Sequence, residues 1–91
     1  MVTLQIRISG KVQGVWYRAS AKEAAISIGV KGKVWNEPNG DVGAIVQGEQ
    51  EQVDEFISWC WEGPPLARVE NIHREEVVTE DIYASFDISR Y

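Results

Sequence analysis

The residues with the clearest chemical potential lie in Gly10-Lys11-Val12-Gln13-Gly14-Val15-Trp16-Tyr17-Arg18. Two glycines bracket this stretch and an arginine closes it. Without a Cβ, glycine lets backbone N–H groups turn inward and approach a ligand closely. Successive inward N–H groups ahead of a helix N-terminus make an anion site. Arg18 adds a planar fork of donors that matches phosphate oxygens two at a time. Residues Gln13, Gly14, Val15, Trp16, Tyr17 and Arg18 are therefore expected to form a loop that cradles one tetrahedral dianion. A glycine-rich loop alone is a weak signal, so the elements on either side must carry the rest.

Val2, Leu4, Ile6 and Ile8 alternate with Thr3, Gln5, Arg7 and Ser9, which predicts a strand with one buried and one wet face. From Tyr17 to Ile28 the pattern turns helical, with Ala21, Ala25 and Ile28 on one face, Ala24 alongside, and Gly29 as the stop. Lys31 to Glu37 reads as a short strand. Pro38-Asn39-Gly40-Asp41 is a turn, and Asp41 to Gln47 alternates again with Val42, Ala44 and Val46 on one face. A second helix is expected from Glu49 to Glu62, with Val53, Phe56, Ile57, Cys60 and Trp61 as its apolar stripe. Gly63-Pro64-Pro65 ends it. Arg68 to Val78 reads as a poorly alternating strand, Thr79-Glu80-Asp81 as a polar loop, and Ser85 to Ser89 as a short closing strand.

The order βαββαβ plus a terminal strand predicts an α+β fold of the ferredoxin-like type, an α/β sandwich. Its sheet is antiparallel and both helices cover one face. The right-handed crossover makes the first two strands parallel, with the third antiparallel to both. Their ends then lie at one edge of the domain, which brings the loop and Asn36 together. Asn36 offers an amide donor and acceptor but no useful pKa. It can orient a water and cannot deprotonate it, which suffices only for a substrate whose leaving group departs unprotonated.

Ile8-Ser9-Gly10-Lys11-Val12-Gln13-Gly14-Val15-Trp16-Tyr17-Arg18 resembles the phosphate-binding signature of the acylphosphatases. Gly32-Lys33-Val34-Trp35-Asn36-Glu37-Pro38-Asn39-Gly40-Asp41-Val42, followed by Gly48, resembles the family's second signature. Gly63-Pro64-Pro65-Leu66-Ala67-Arg68-Val69 and Phe86-Asp87-Ile88 extend the likeness over nearly the whole chain. The resemblance implies metal-free hydrolysis of acyl phosphates to carboxylate and inorganic phosphate, the latter also a competitor. It implies Arg18 as phosphate anchor and Asn36 as water positioner, with no cofactor. Three positions depart from the family pattern. Tyr17 stands where phenylalanine or methionine is usual, Lys33 where an aromatic is, and Trp35 where a small, polar or basic residue is.

With 91 residues the chain is expected to be one domain, residues 1–91. Its formal net charge of -5 argues against a nucleic-acid backbone as partner. The wet face of the first strand lacks the aromatics of an RNA-binding sheet. No apolar run is long enough to span a membrane. Met1 leads straight into a strand pattern, so no signal peptide is expected. One cysteine, Cys60, forms no internal disulfide and reads as a small buried hydrophobe, so a reducing cytoplasmic home is expected. A monomer suffices. His73 reads as a surface or half-buried residue, and Glu75, Glu76, Glu80 and Asp81 as a solvated patch. Trp16, Tyr17, Trp35 and Tyr83 read as core and loop packing. The competing reading is a binding module that keeps the anion loop without turnover.

Overall fold

The computed structural model describes residues 1–90; Tyr91, the last residue of the expected domain, lies outside the described residues. Its elements are β1 (Val2–Lys11), α1 (Tyr17–Ile28), β2 (Lys31–Asn36), β3 (Val42–Gly48), α2 (Gln50–Glu62), β4 (Arg68–Glu76) and β5 (Phe86–Ile88). The sheet order is β4-β1-β3-β2-β5. β1 and β2 both run antiparallel to β3, so they are parallel to each other across it. β4 joins β1 antiparallel, whereas the closing β5 lies parallel to β2.

Alternation decides which residues reach the core. Ile6 and Ile8 from β1, Val34 from β2, and Val42, Ala44 and Val46 from β3 are buried with Ala21 and Ala25 of α1 and with Val53, Phe56, Ile57 and Cys60 of α2. Helix α1 packs on β2 and β5, α2 packs on β4, β3 and β1, and the helices touch each other. Within the α2 stripe one residue differs from expectation. Trp61 is 48% exposed, and it is Trp59 that packs against the core, where it meets the rings of Tyr17 and Phe56.

The opposite face of the sheet is partly covered. Gln47 donates to the Asp81 carbonyl at 2.8 Å and accepts from Tyr83 N–H at 3.0 Å, which lays the segment after β4 over Thr3 and Gln47 and buries both. His73, Glu75, Glu76, Glu80 and Asp81 are exposed.

β1 runs two residues past its alternating segment because of a register shift against β4 at Ser9/Gly10. Gly10 has φ 122, and a Cβ there would stand 2.2 Å from the Arg68 carbonyl oxygen. Only glycine fits, so the start of the loop is fixed by close backbone contact with β4.

Candidate active site

The loop leaves β1 at Val12 and enters α1 at Tyr17. Val12 and Val15 are 1% and 3% exposed, so their side chains anchor the loop in the core. Gly14 and Trp16 are both left-handed, with φ 76 and φ 68. For a tryptophan that conformation costs roughly 1 kcal/mol or more. It is followed at once by helical residues, the backbone pairing that turns successive N–H groups into a concave anion nest. Trp16 is the N-cap of α1 and makes no side-chain cap. The first intrahelical bond of the helix runs from Ser20 N–H to the Trp16 carbonyl at 3.0 Å. The N–H groups of Tyr17, Arg18 and Ala19 ahead of it are thus the orphan donors of the helix start, where the macrodipole favours negative charge.

A cleft of about 370 Å³ lies against these three residues. Gln13, Gly14, Trp16, Tyr17 and Arg18 line it from the loop, and Asn36 lines it from the end of β2. Of the six expected loop residues, Val15 and Tyr17 send their side chains into the core, and Val15 alone does not line the cleft. Asn36 shares the core-facing side of β2 with Val34, two residues before it. Its Oδ1 is buried and accepts no hydrogen bond. An unpaired buried oxygen costs about 1–3 kcal/mol, which marks Asn36 as a polar group that the surrounding side chains and backbone leave unsatisfied.

Four cleft residues lie outside the expected set: Val12 and Ala19, which flank the loop, and the more distant Ile88 and Arg90. A faint signal existed. Carrying the alternation of Phe86 and Ile88 two residues on places Arg90 on the same side. Arg90 adds a second arginine to the cleft lining.

Gln13 is engaged in a further way. Its Nε2 donates to the Glu37 carbonyl at 2.8 Å and to the Asp41 carbonyl at 2.9 Å. Tyr17 is 1% exposed and its hydroxyl donates to the Cys60 carbonyl at 2.6 Å. Burial keeps that hydroxyl protonated, its pKa pushed well above the ordinary 10.0, and pushes the Cys60 thiol up to about 12. Neither is a base or nucleophile near neutral pH. Trp16 differs from the packing expected of it, being 76% exposed at the mouth of the cleft.

The departures at Lys33 and Trp35 lie mainly on the other face of the sheet. Both line a second groove with Gln5 and Ile45, of which Asn36 is also a lining residue. The Trp35 indole donates to Glu37 Oε2 at 2.5 Å, and Arg7 stands 3.9 Å from the same oxygen. Among the described residues no three His, Cys, Asp or Glu side chains converge as metal ligands, and no helix is long and apolar enough to cross a membrane.

The family model described as Acylphosphatase matches residues 4–88. An acylphosphatase of Nitrosococcus oceani is 48% identical over 83 residues, covering 90% of this chain and 93% of its own. The structure of an acylphosphatase from Coxiella burnetii superposes with a TM-score of 0.91 at 39% identity, over 97% of this chain and 92% of that one. The acylphosphatase of Bacillus subtilis superposes with a TM-score of 0.94 at 26% identity, over 98% and 99% of the two chains.

Proposed function

The chain belongs to the acylphosphatase family and is an acylphosphatase hydrolase, and we propose that it works through Arg18, the loop N–H groups and Asn36. The family implies a small-molecule acyl phosphate as substrate. The reading of a loop that binds anions without turnover is set aside on the same ground.

The phosphoryl group sits in the nest, its oxygens held by the loop N–H groups from Gln13 to Arg18 and by the Arg18 guanidinium. In the transition state charge spreads over those oxygens. Donors fixed before the reaction stabilise it without reorganising. A water bound at Asn36 attacks phosphorus, donating one O–H to Oδ1. The bond between phosphorus and the acyl oxygen breaks, and its electron pair leaves with the carboxylate. That leaving group needs no proton, and the water's proton is taken up by the product phosphate. No general base enters this scheme, which suits an amide at the water site. Residues 1–91 act here as one acylphosphatase-like domain, metal-free, with no cofactor and as a cytoplasmic monomer.

The observation that carries this reading is the shared cleft: Arg18 and Asn36 meet in it, and Asn36 Oδ1 is buried and unpaired. Hydrolysis of benzoyl phosphate with a chelator present tests it. Turnover continues and inorganic phosphate competes. Loss of activity to the chelator overturns the metal-free mechanism.

A further inference from the structure

We propose that the Gln13 side chain is the positioning residue that sets Asn36 against the phosphate cradle. The inference rests on the water-positioning reading of Asn36 and adds what holds that residue in place.

Asn36 ends β2 opposite Val42, and the chain then turns through Glu37 to Asp41. The turn is closed by Glu37 N–H donating to the Asp41 carbonyl at 2.8 Å and Gly40 N–H donating to the Glu37 carbonyl at 3.2 Å. Each carbonyl has a second lone pair, and the two Nε2 hydrogens of Gln13 occupy both, at 2.8 and 2.9 Å. A single planar amide thus grips the hairpin on both sides of its turn, one residue beyond Asn36. Because both partners are acceptors, the amide has one orientation. Among the described residues no other side chain hydrogen-bonds the loop to this hairpin.

The backbone of Gln13 belongs to the cradle and its side chain to the hairpin, so the distance from phosphorus to the water site is set through one residue. Without the clamp the hairpin end would be tied to the loop by packing alone. A misplacement on the order of 1 Å is enough to cost about 10²-fold in rate. The carbonyls would keep their backbone donors, so the fold itself would lose little.

The test compares Gln13→Leu, Asn36→Ala and the double variant, with thermal melting as a check that each is folded. Gln13→Leu keeps the backbone N–H and much of the shape but donates nothing. We expect its kcat to fall roughly 10- to 100-fold, while its phosphate inhibition constant stays within about threefold of the parent because the anion's donors remain. If Gln13 acts through Asn36, the double variant turns over within about threefold of Asn36→Ala alone, a non-additivity that only coupled residues show. Losses that multiply, or a phosphate affinity that falls with turnover, overturn the clamp. The two readings fail differently. Full turnover in Asn36→Ala removes the water-positioning role and the clamp with it, whereas a crippled Asn36→Ala beside an unimpaired Gln13→Leu removes the clamp alone.

Discussion

The Tyr17 hydroxyl at the start of α1 donates a 2.6 Å hydrogen bond to the Cys60 carbonyl in the last turn of α2. Carbonyls in a helix's last turn have no intrahelical donor. Trp59, next to Cys60, is satisfied by Gly63 N–H at 2.8 Å, and Cys60 is satisfied by Tyr17. The position that resembled a family departure therefore joins the two helices where the loop enters α1.

Tyr17→Phe keeps the ring and removes the donor. The Cys60 carbonyl is then left buried and unpaired, which costs about 1–3 kcal/mol. For a chain of this size each kcal/mol lowers the melting temperature by roughly 4–8 °C. A thermal melt followed by circular dichroism reads this directly. An unchanged melting temperature would mean that the carbonyl finds another donor.

Alkali should weaken the same contact. Cys60 rises on folding from its ordinary 9.0 to about 12, chiefly through burial, and Tyr17 is pushed above 10.0 for the same reason. In both cases the unfolded chain gives up its proton first. Their contribution to stability is complete below about pH 9 and is lost as pH climbs toward the folded values, at about 1.4 kcal/mol per pH unit for each group once its unfolded form has titrated. Urea midpoints between pH 8 and 10.5 should fall, beginning near 9. In Cys60→Ala the fall should begin nearer 10, where tyrosine starts to titrate in the unfolded chain. An onset that does not move assigns the pH dependence to other groups.

What the sequence left open was settled by pairings distant along the chain. The face of β1 was legible because its period of two is uninterrupted from Val2 to Ser9. In α2, Trp59 and Trp61 flank Cys60 on opposite sides of the helix, and periodicity counted from Val53 favours Trp61. The partner decides between them: Tyr17 arrives on the Trp59 side, with ring centroids 5.6 Å apart. β4 read poorly because it is an edge strand, with most of its side chains exposed. Gly10, Arg18 and Asn36 could be selected because local rules and topology converge on them. Arg90 had only the alternation of Phe86 and Ile88 to mark it, because its place in the cleft depends on β5 pairing with β2 in parallel.

Arg18→Lys should be nearly as damaging as Arg18→Ala. A lysine supplies a point charge, whereas the proposed anchor is a planar fork that meets two phosphoryl oxygens. Removing one transition-state donor typically costs on the order of 10²-fold or more in kcat. Steady-state rates on benzoyl phosphate decide it. Near-normal turnover in the lysine variant would show that the arginine contributes bulk charge only.

Asn36 separates binding from chemistry. On the proposed mechanism phosphate is held by the loop N–H groups and Arg18, none of which Asn36 supplies, while the attacking water is held by its amide. Asn36→Ala should therefore lower kcat on the order of 10²-fold, an orientation effect felt in the transition state. The phosphate inhibition constant should change little. Asn36→Asp is the sharper variant. It keeps the shape and the buried acceptor but removes the donor and sets a negative charge beside a bound dianion. Repulsion at short range in a partly enclosed cleft should then weaken phosphate as well as slow the reaction. Measuring the phosphate inhibition constant and kcat for both variants distinguishes the roles. If the alanine variant loses phosphate affinity as strongly as turnover, Asn36 belongs to the anion cradle and some other group positions the water.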